Sequence, residues 1–389
     1  MDDPDVSSVV KGPSQLMAKV MIIGALPESL VNFRGELIKE IAKGGHEVLA
    51  MAGPAIEDTI RNIESLGATF ISYPVQRAGM NPKKDIKTLW ALYNLIKYHK
   101  PDAIIAYTIK PVIWGGIAAR LLGVSHHFHG LITGLGFTFQ GDSNKQKVLN
   151  NLVSRLYKVS LKSPAKVIFQ NQDNQKEMID RKIVMPSQSF VVNGSGVDLD
   201  HFKEEPMPEG KPLIFLTIAR LLGAKGLREY AEAAKSVKKL YPDTQFKLLG
   251  PEDPSPDRIS IEEVKEWHRL GFIDYCGSSD DVRPWLKACH VYVLNSYHEG
   301  MPRTVLEAMS TGRPIITTQV SGCRETVSNG INGYLIPKAD TNALINAMIQ
   351  MIKNKEKLKE MGQESLKIAK QKFDVHQVNR HVMNIMSLT

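Results

Sequence analysis

Two glutamates stand eight residues apart in YHEGMPRTVLEAMSTGRPIITT, the stretch from Tyr297 to Thr318. The preceding VYVLNS has the continuous apolar character of a buried strand. Pro302 suits the first position of a helix, where its missing N–H is not needed. The spacing predicts a helix over 302–311, stopped at Gly312 and followed by a strand from Pro314. Gly300, Met301 and the first helical N–H groups would then face a cleft with the positive end of a helix dipole, which suits a diphosphate. Glu299 is displayed at the strand end. Glu307, one turn further in, can accept paired donors such as two ribose hydroxyls. A lone glutamate near a helix start is often only a complement to the dipole. The Gly-x-Pro start, LEA and GRP before a strand weigh against that simpler reading.

Arg220 and Lys225, in TIARLLGAKGLREYAEAA, flank a short loop between a strand and a helix. Converging there, they can neutralise a diphosphate. Loop cations are usually just solvated, but this loop would open on the same cleft edge as Glu299. In the amino-terminal half, Arg34 can meet a phosphate or simply point to solvent from a helix. His126, His127 and His129, in HHFHGLITGLG, invite a metal reading, but no carboxylate adjoins them and strand alternation splits their faces, so no metal site is expected. Gly134 and Gly136 allow a close backbone approach to a ligand, or serve a turn.

The elements that must position these residues repeat one grammar. KVMIIGA, HEVLAMA, TFISYPV, DAIIAYT and SHHFHG read as strands alternating with helices, and the pattern restarts at PLIFLTIAR and continues through QFKLLG, GFIDYCG, VYVLNS, RPIITT and GYLIP. Continuous apolar strands between helices indicate parallel sheets covered on both faces, so the fold class is α/β with Rossmann-like domains. The 389 residues allow two or three domains. The expected division is a disordered leader over 1–17 with Met17 as an alternative start, a first domain over 18–195, a Gly/Pro-rich linker over 196–211, a second domain over 212–373, and a last helix over 374–389 that bridges the two. No GxGxxG follows KVMII, which argues against a dinucleotide dehydrogenase. No aromatic–basic interleaving supports nucleic-acid binding. Ala103–Val124 is too interrupted by Lys110, Pro111 and Arg120 for a membrane span. The three cysteines have no paired spacing, as expected of reduced thiols in a cytoplasmic protein without a signal peptide. The net charge of +8 is concentrated between Lys19 and Lys166, where 19 Lys/Arg face 10 Asp/Glu, as an anionic partner would require. SNKQKVLNNLVSRLYKVSLKSPAK reads as a basic amphipathic helix, either a core helix or one that lies on an anionic membrane.

EGMPRTVLEAMSTGRPIITT, followed by GCRETV and NGYLIP, together with ARLLGAKG and NGSGVDLDHF, resembles the family-4 glycosyltransferases of GT-B fold. The resemblance covers nearly all of the chain after Met17. It implies two Rossmann-like domains facing a cleft. Arg220 and Lys225, with Gly300, Met301 and Pro302, would hold a donor diphosphate, and Glu307 the nucleotide ribose. Glu299 would contact the donor sugar and stabilise an oxocarbenium-like transition state, with His129 as a second catalytic side chain. It further implies retention of anomeric configuration without metal or other cofactor. LPESLVNFRGEL, ITGLGFTF and GCRETV are similar to a narrower bacterial subgroup that extends undecaprenyl-diphosphate-linked sugars. That implies a UDP-sugar donor that delivers an N-acetylhexosamine, a lipid-linked saccharide acceptor met by Arg34, Gly134 and Gly136, and peripheral attachment to the anionic inner face of the plasma membrane. The alternatives are a UDP-sugar epimerase or other GT-B enzyme, and a non-catalytic nucleotide-binding protein.

Overall fold

The computed structural model describes residues 17–76, 79, 81–135, 144–162, 165–210 and 212–389, with only the backbone of 144–146. Gly136 and residues 1–16 of the expected leader lie outside the described residues.

The first sheet is formed by β1 Lys19–Ile23, β2 Glu47–Ala52, β3 Ala68–Ser72, β4 Ala103–Tyr107, β5 Phe128–Ile132, β6 Lys166–Phe169 and β7 Ser189–Val191. Its order is β3-β2-β1-β4-β5-β6-β7, and every pairing is parallel. Met21 and Ile23 pack into the core on one face, Val20 and Ile22 into the core on the other. A strand covered on both sides needs apolar side chains at every position, which is why KVMII and AIIAY do not alternate with polar residues. Each such side chain contributes roughly 1.5–3 kcal/mol when fully buried. One boundary that differs from the sequence expectation bears on the site. Ser125–His127 form a short 3-10 turn, and the strand begins only at Phe128.

The second sheet holds β8 Ile214–Ile218, β9 Gln245–Leu249, β10 Asp274–Tyr275, β11 Val291–Leu294, β12 Ile315–Thr318 and β13 Gly333–Ile336, all parallel in the order β10-β9-β8-β11-β12-β13. The linker is fastened to this domain by the fully buried Arg313. Its Nη2 donates to Pro206 O at 3.0 Å and its Nε to Leu286 O at 2.9 Å.

The chain then returns to the first domain. Val375 N donates to Val197 O, and the helix Val375–Met386 turns Val378, Val382, Ile385 and Met386 onto Leu30, Ile38 and Ile41 of the helix Pro27–Lys43. The i, i+4, i+7, i+8 spacing places those four side chains on one stripe. Two crossings, at 196–198 and 373–375, therefore join the domains side by side.

Candidate active site

A cleft of about 630 Å³ opens between the domains. It is walled by residues just beyond the carboxyl ends of strands: Ala25 after β1, Tyr107 and Thr108 at β4, Thr133 after β5, Gln170 after β6, and Arg220 after β8. Parallel sheets place ligand sites at those ends. A larger groove of about 800 Å³ lies near Tyr241–Thr244 and Pro206–Gly210, at the amino ends of β8 and β9, away from these side chains.

On the second domain's wall, two loops are laced together. Tyr297 N donates to Ala224 O at 2.8 Å, and Asn295 Nδ2 to Gly226 O at 3.3 Å. The lacing brings Lys225 onto the Glu299 carboxylate. Arg220 pairs with Asp253, a residue that the sequence reading missed. Arg220 and Glu299 line the cleft with Gly300 and Met301, and Lys225 stands behind Glu299. Pro302 is buried and caps a helix that runs from Arg303 to Ser310, one residue shorter at each end than expected. Glu307 is buried too, with Oε1 2.9 Å from Arg303 Nε. Burial pushes its carboxyl up to about 7, although the adjacent Arg303 pulls in the opposite direction.

The first domain supplies the facing wall from the helix Pro27–Lys43. Arg34 is buried, with its guanidinium 5.0 Å from the centre of the Tyr107 ring and Nη1 donating to Ser195 Oγ at 3.1 Å. Tyr107 O–H is 2.8 Å from Ser29 Oγ. Thr108 has φ +67°, a strained conformation of the kind that gathers at functional sites. Phe33 carries the Arg303 guanidinium 5.6 Å over its ring, a contact between domains.

The domains touch at Gly300. A side chain there would begin 1.7 Å from Thr133 O, so only glycine fits. Gly134 lies on the other side of this contact, where a Cβ would come 3.6 Å from Gly300 Cα. Its close approach is thus to the opposite domain's backbone. Asn171 Nδ2 donates to Gly300 O at 2.5 Å while its Oδ1 caps the helix Gln172–Asp180. The capping role was readable from an Asn before a helix, but the bond to Gly300 was not.

His129 does not join this site. The strand starts later than SHHFHG suggested, so His129 is its second residue, paired with Ile105 and with Lys166 at the opening of β6. It is buried with Nδ1 3.1 Å from Ile104 O, and burial pushes its pKa down to about 4. Thr133, four residues on, occupies the cleft end instead. His127 lies beside Asp102 O at the same amino edge of the sheet.

Solved structures share this architecture. A glycosyltransferase from Rickettsia africae superposes with a TM-score of 0.77 over 96% of this chain and 98% of that one, at 16% identity. Anabaena HepE, crystallised with UDP and glucose, gives 0.75 over 95% and 99%, at 17% identity. Two parallel-sheet domains facing one cleft are thus the GT-B glycosyltransferase fold. At the level of sequence, residues 34–201 match Glycosyltransferase Family 4 and residues 198–367 match Glycosyl transferases group 1. The Escherichia coli UDP-Gal:alpha-D-GlcNAc-diphosphoundecaprenol alpha-1,3-galactosyltransferase is 32% identical over 285 residues, 70% of this chain and 72% of that protein. The Campylobacter jejuni N,N'-diacetylbacillosaminyl-diphospho-undecaprenol alpha-1,3-N-acetylgalactosaminyltransferase is 29% identical over 345 residues, 85% and 88% respectively. The chain belongs to this family of glycosyltransferases and is an enzyme of sugar transfer.

Proposed function

We propose that the enzyme moves a sugar, an N-acetylhexosamine, from a UDP-sugar to a saccharide carried on undecaprenyl diphosphate, with retention and without a metal. The relatives that act on diphosphoundecaprenol-linked sugars support the acceptor class, and the UDP-Gal donor of one of them supports the nucleotide. The observation that carries the reading is that Arg220 and Glu299 line one cleft wall opposite Arg34, with Lys225 paired to Glu299 and the buried Glu307 paired to Arg303 of the same wall.

In this reading the donor diphosphate lies against Arg220, Lys225 and the backbone of Gly300, Met301 and Pro302, and the ribose hydroxyls donate to Glu307. Glu299 receives the sugar hydroxyls and faces the positive charge that grows at the anomeric carbon. The acceptor enters along the wall of Arg34 and Gly134. The bond from the anomeric carbon to the diphosphate oxygen breaks, and a bond to the acceptor oxygen forms. With His129 buried at the far end of its strand, the acceptor proton passes to the departing diphosphate.

Membrane contact belongs to the same proposal. No helix among the described residues is long and apolar enough to cross a membrane. The helix Asn144–Ser160 divides its apolar residues between two faces. Val153 and Tyr157 are buried, whereas Val148, Leu152 and Val159 are exposed alongside Lys147, Arg155 and Lys158. That exposed face suits an anionic bilayer.

A donor panel tests the reaction. UDP release is measured from several UDP-sugars with a synthetic prenyl-diphosphate-linked sugar as acceptor. Release that depends on that acceptor is expected. Formation of a free epimer without acceptor, or equal rates with a free sugar, would count against the proposal.

A further inference from the structure

Four cations line the cleft, and among the described residues three of them have an acid partner: Lys110 with Asp85 at 2.7 Å, Arg220 with Asp253, and Arg303 with Glu307. Arg34 is the exception. It forms no ion pair among the described residues, its Nε is buried without a hydrogen-bond partner, and its neighbours are the neutral groups of Ser195 and Tyr107. Tyr107 cannot balance the charge, since burial holds its phenol at about 12. A buried, uncompensated guanidinium is costly to keep and is relieved by an anion. Burial, with Arg303 nearby, lowers the Arg34 pKa to about 10, so it is still charged at neutral pH.

In the reading proposed above, the donor diphosphate is held by Arg220 and Lys225 of the second domain. Arg34 projects from the first domain, and Phe33, half exposed on the same helix, offers a ring beside it. A planar guanidinium binds phosphate oxygens through two parallel N–H donors. We propose that Arg34 is the seat of a second diphosphate, that of the lipid-linked acceptor, and so makes the enzyme read the carrier's phosphates as well as its sugar. This rests on the acceptor class proposed above.

The test uses two acceptors: N-acetylglucosamine joined to a short prenyl chain through diphosphate, and the phosphate-free glycoside of the same sugar and chain. KM and kcat come from UDP release, and UDP affinity from calorimetry. The wild-type enzyme is expected to favour the diphosphate acceptor in KM. Arg34→Gln should raise that KM about 10- to 100-fold, to the phosphate-free value, with UDP affinity unchanged. Arg34→Lys should keep part of the preference, and serves as the measured variant if the glutamine form does not fold. The proposal is overturned if these variants keep the full wild-type preference, or if UDP affinity falls in step, which would assign Arg34 to the donor. In both cases the acceptor class stands. A wild-type enzyme indifferent to the diphosphate would instead sink the acceptor class, and this inference with it.

Discussion

Glu307 sits where a charge is hard to keep. Its carboxyl is raised to about 7 by burial, against the pull of Arg303. Below the ordinary carboxylate pKa, both folded and unfolded states hold the proton. Between that value and about 7 the folded state still holds it while the unfolded chain has released it, so the group's contribution to stability is lost as pH rises through this window. Glu307→Gln should remove this dependence, a difference on the order of 3 kcal/mol between the acidic and alkaline ends. Chemical denaturation of both proteins from pH 4.5 to 8 measures it. UDP binding should run the other way, because only the ionised carboxylate accepts from both ribose hydroxyls. Calorimetry from pH 6 to 8 should show wild-type affinity rising through about pH 7. Glu307→Gln should lose about 100-fold in affinity at pH 8, together with that excess pH dependence. Identical profiles for the two proteins would remove Glu307 from the ribose site.

At the scale of elements, the site depends on backbone contact between domains. The loop after β11 meets the loop after β5 at Gly300, and Asn171 at the end of β6 holds the Gly300 carbonyl. A methyl group on Gly300 would collide with a backbone oxygen, which cannot rotate away as a side chain can. Gly300→Ala should therefore part the loops, costing about 1–3 kcal/mol in thermal unfolding and most of the transfer activity. Wild-type turnover in this variant would show that the contact is not needed in the working enzyme. The helix Arg303–Ser310 links the same contact to chemistry, since its first residue touches both Phe33 and Glu307.

At the scale of the molecule, the last helix makes the amino-terminal core incomplete without the carboxyl terminus. His46, which accepts from Ala18 N, also contacts Leu388 O at 3.1 Å, and Lys166 Nζ reaches Ile385 O at 2.5 Å. The basic surface of the helix Asn144–Ser160 belongs to this same first domain. Each cation near an anionic bilayer is worth about 1 kcal/mol, so reversing Lys147, Arg155 and Lys158 to Glu should weaken binding to phosphatidylserine vesicles by 100-fold or more. Cosedimentation checks this, and undiminished binding would locate the membrane surface elsewhere.

Local patterning in the chain determined much of this protein. Strands such as KVMII and VYVLNS, the proline at the head of the Arg303 helix and the glycine after it were readable because burial and helix geometry act over a few residues. The position of Arg220 and Glu299 beyond β8 and β11 of one sheet was readable from the chain, with Lys225 and Glu307 in the segments that follow them. Tertiary structure alone decided which partners those charges have. Arg303 covers Glu307, Asp253 holds Arg220, and Asn171 crosses 129 residues of sequence to reach Gly300. It also removed His129 from the site, because a strand starting three residues later moves a side chain about 10 Å along its axis. Periodicity states that a strand exists but leaves its ends loosely set. Contacts between distant segments depend on how two domains close, which short-range spacing does not encode.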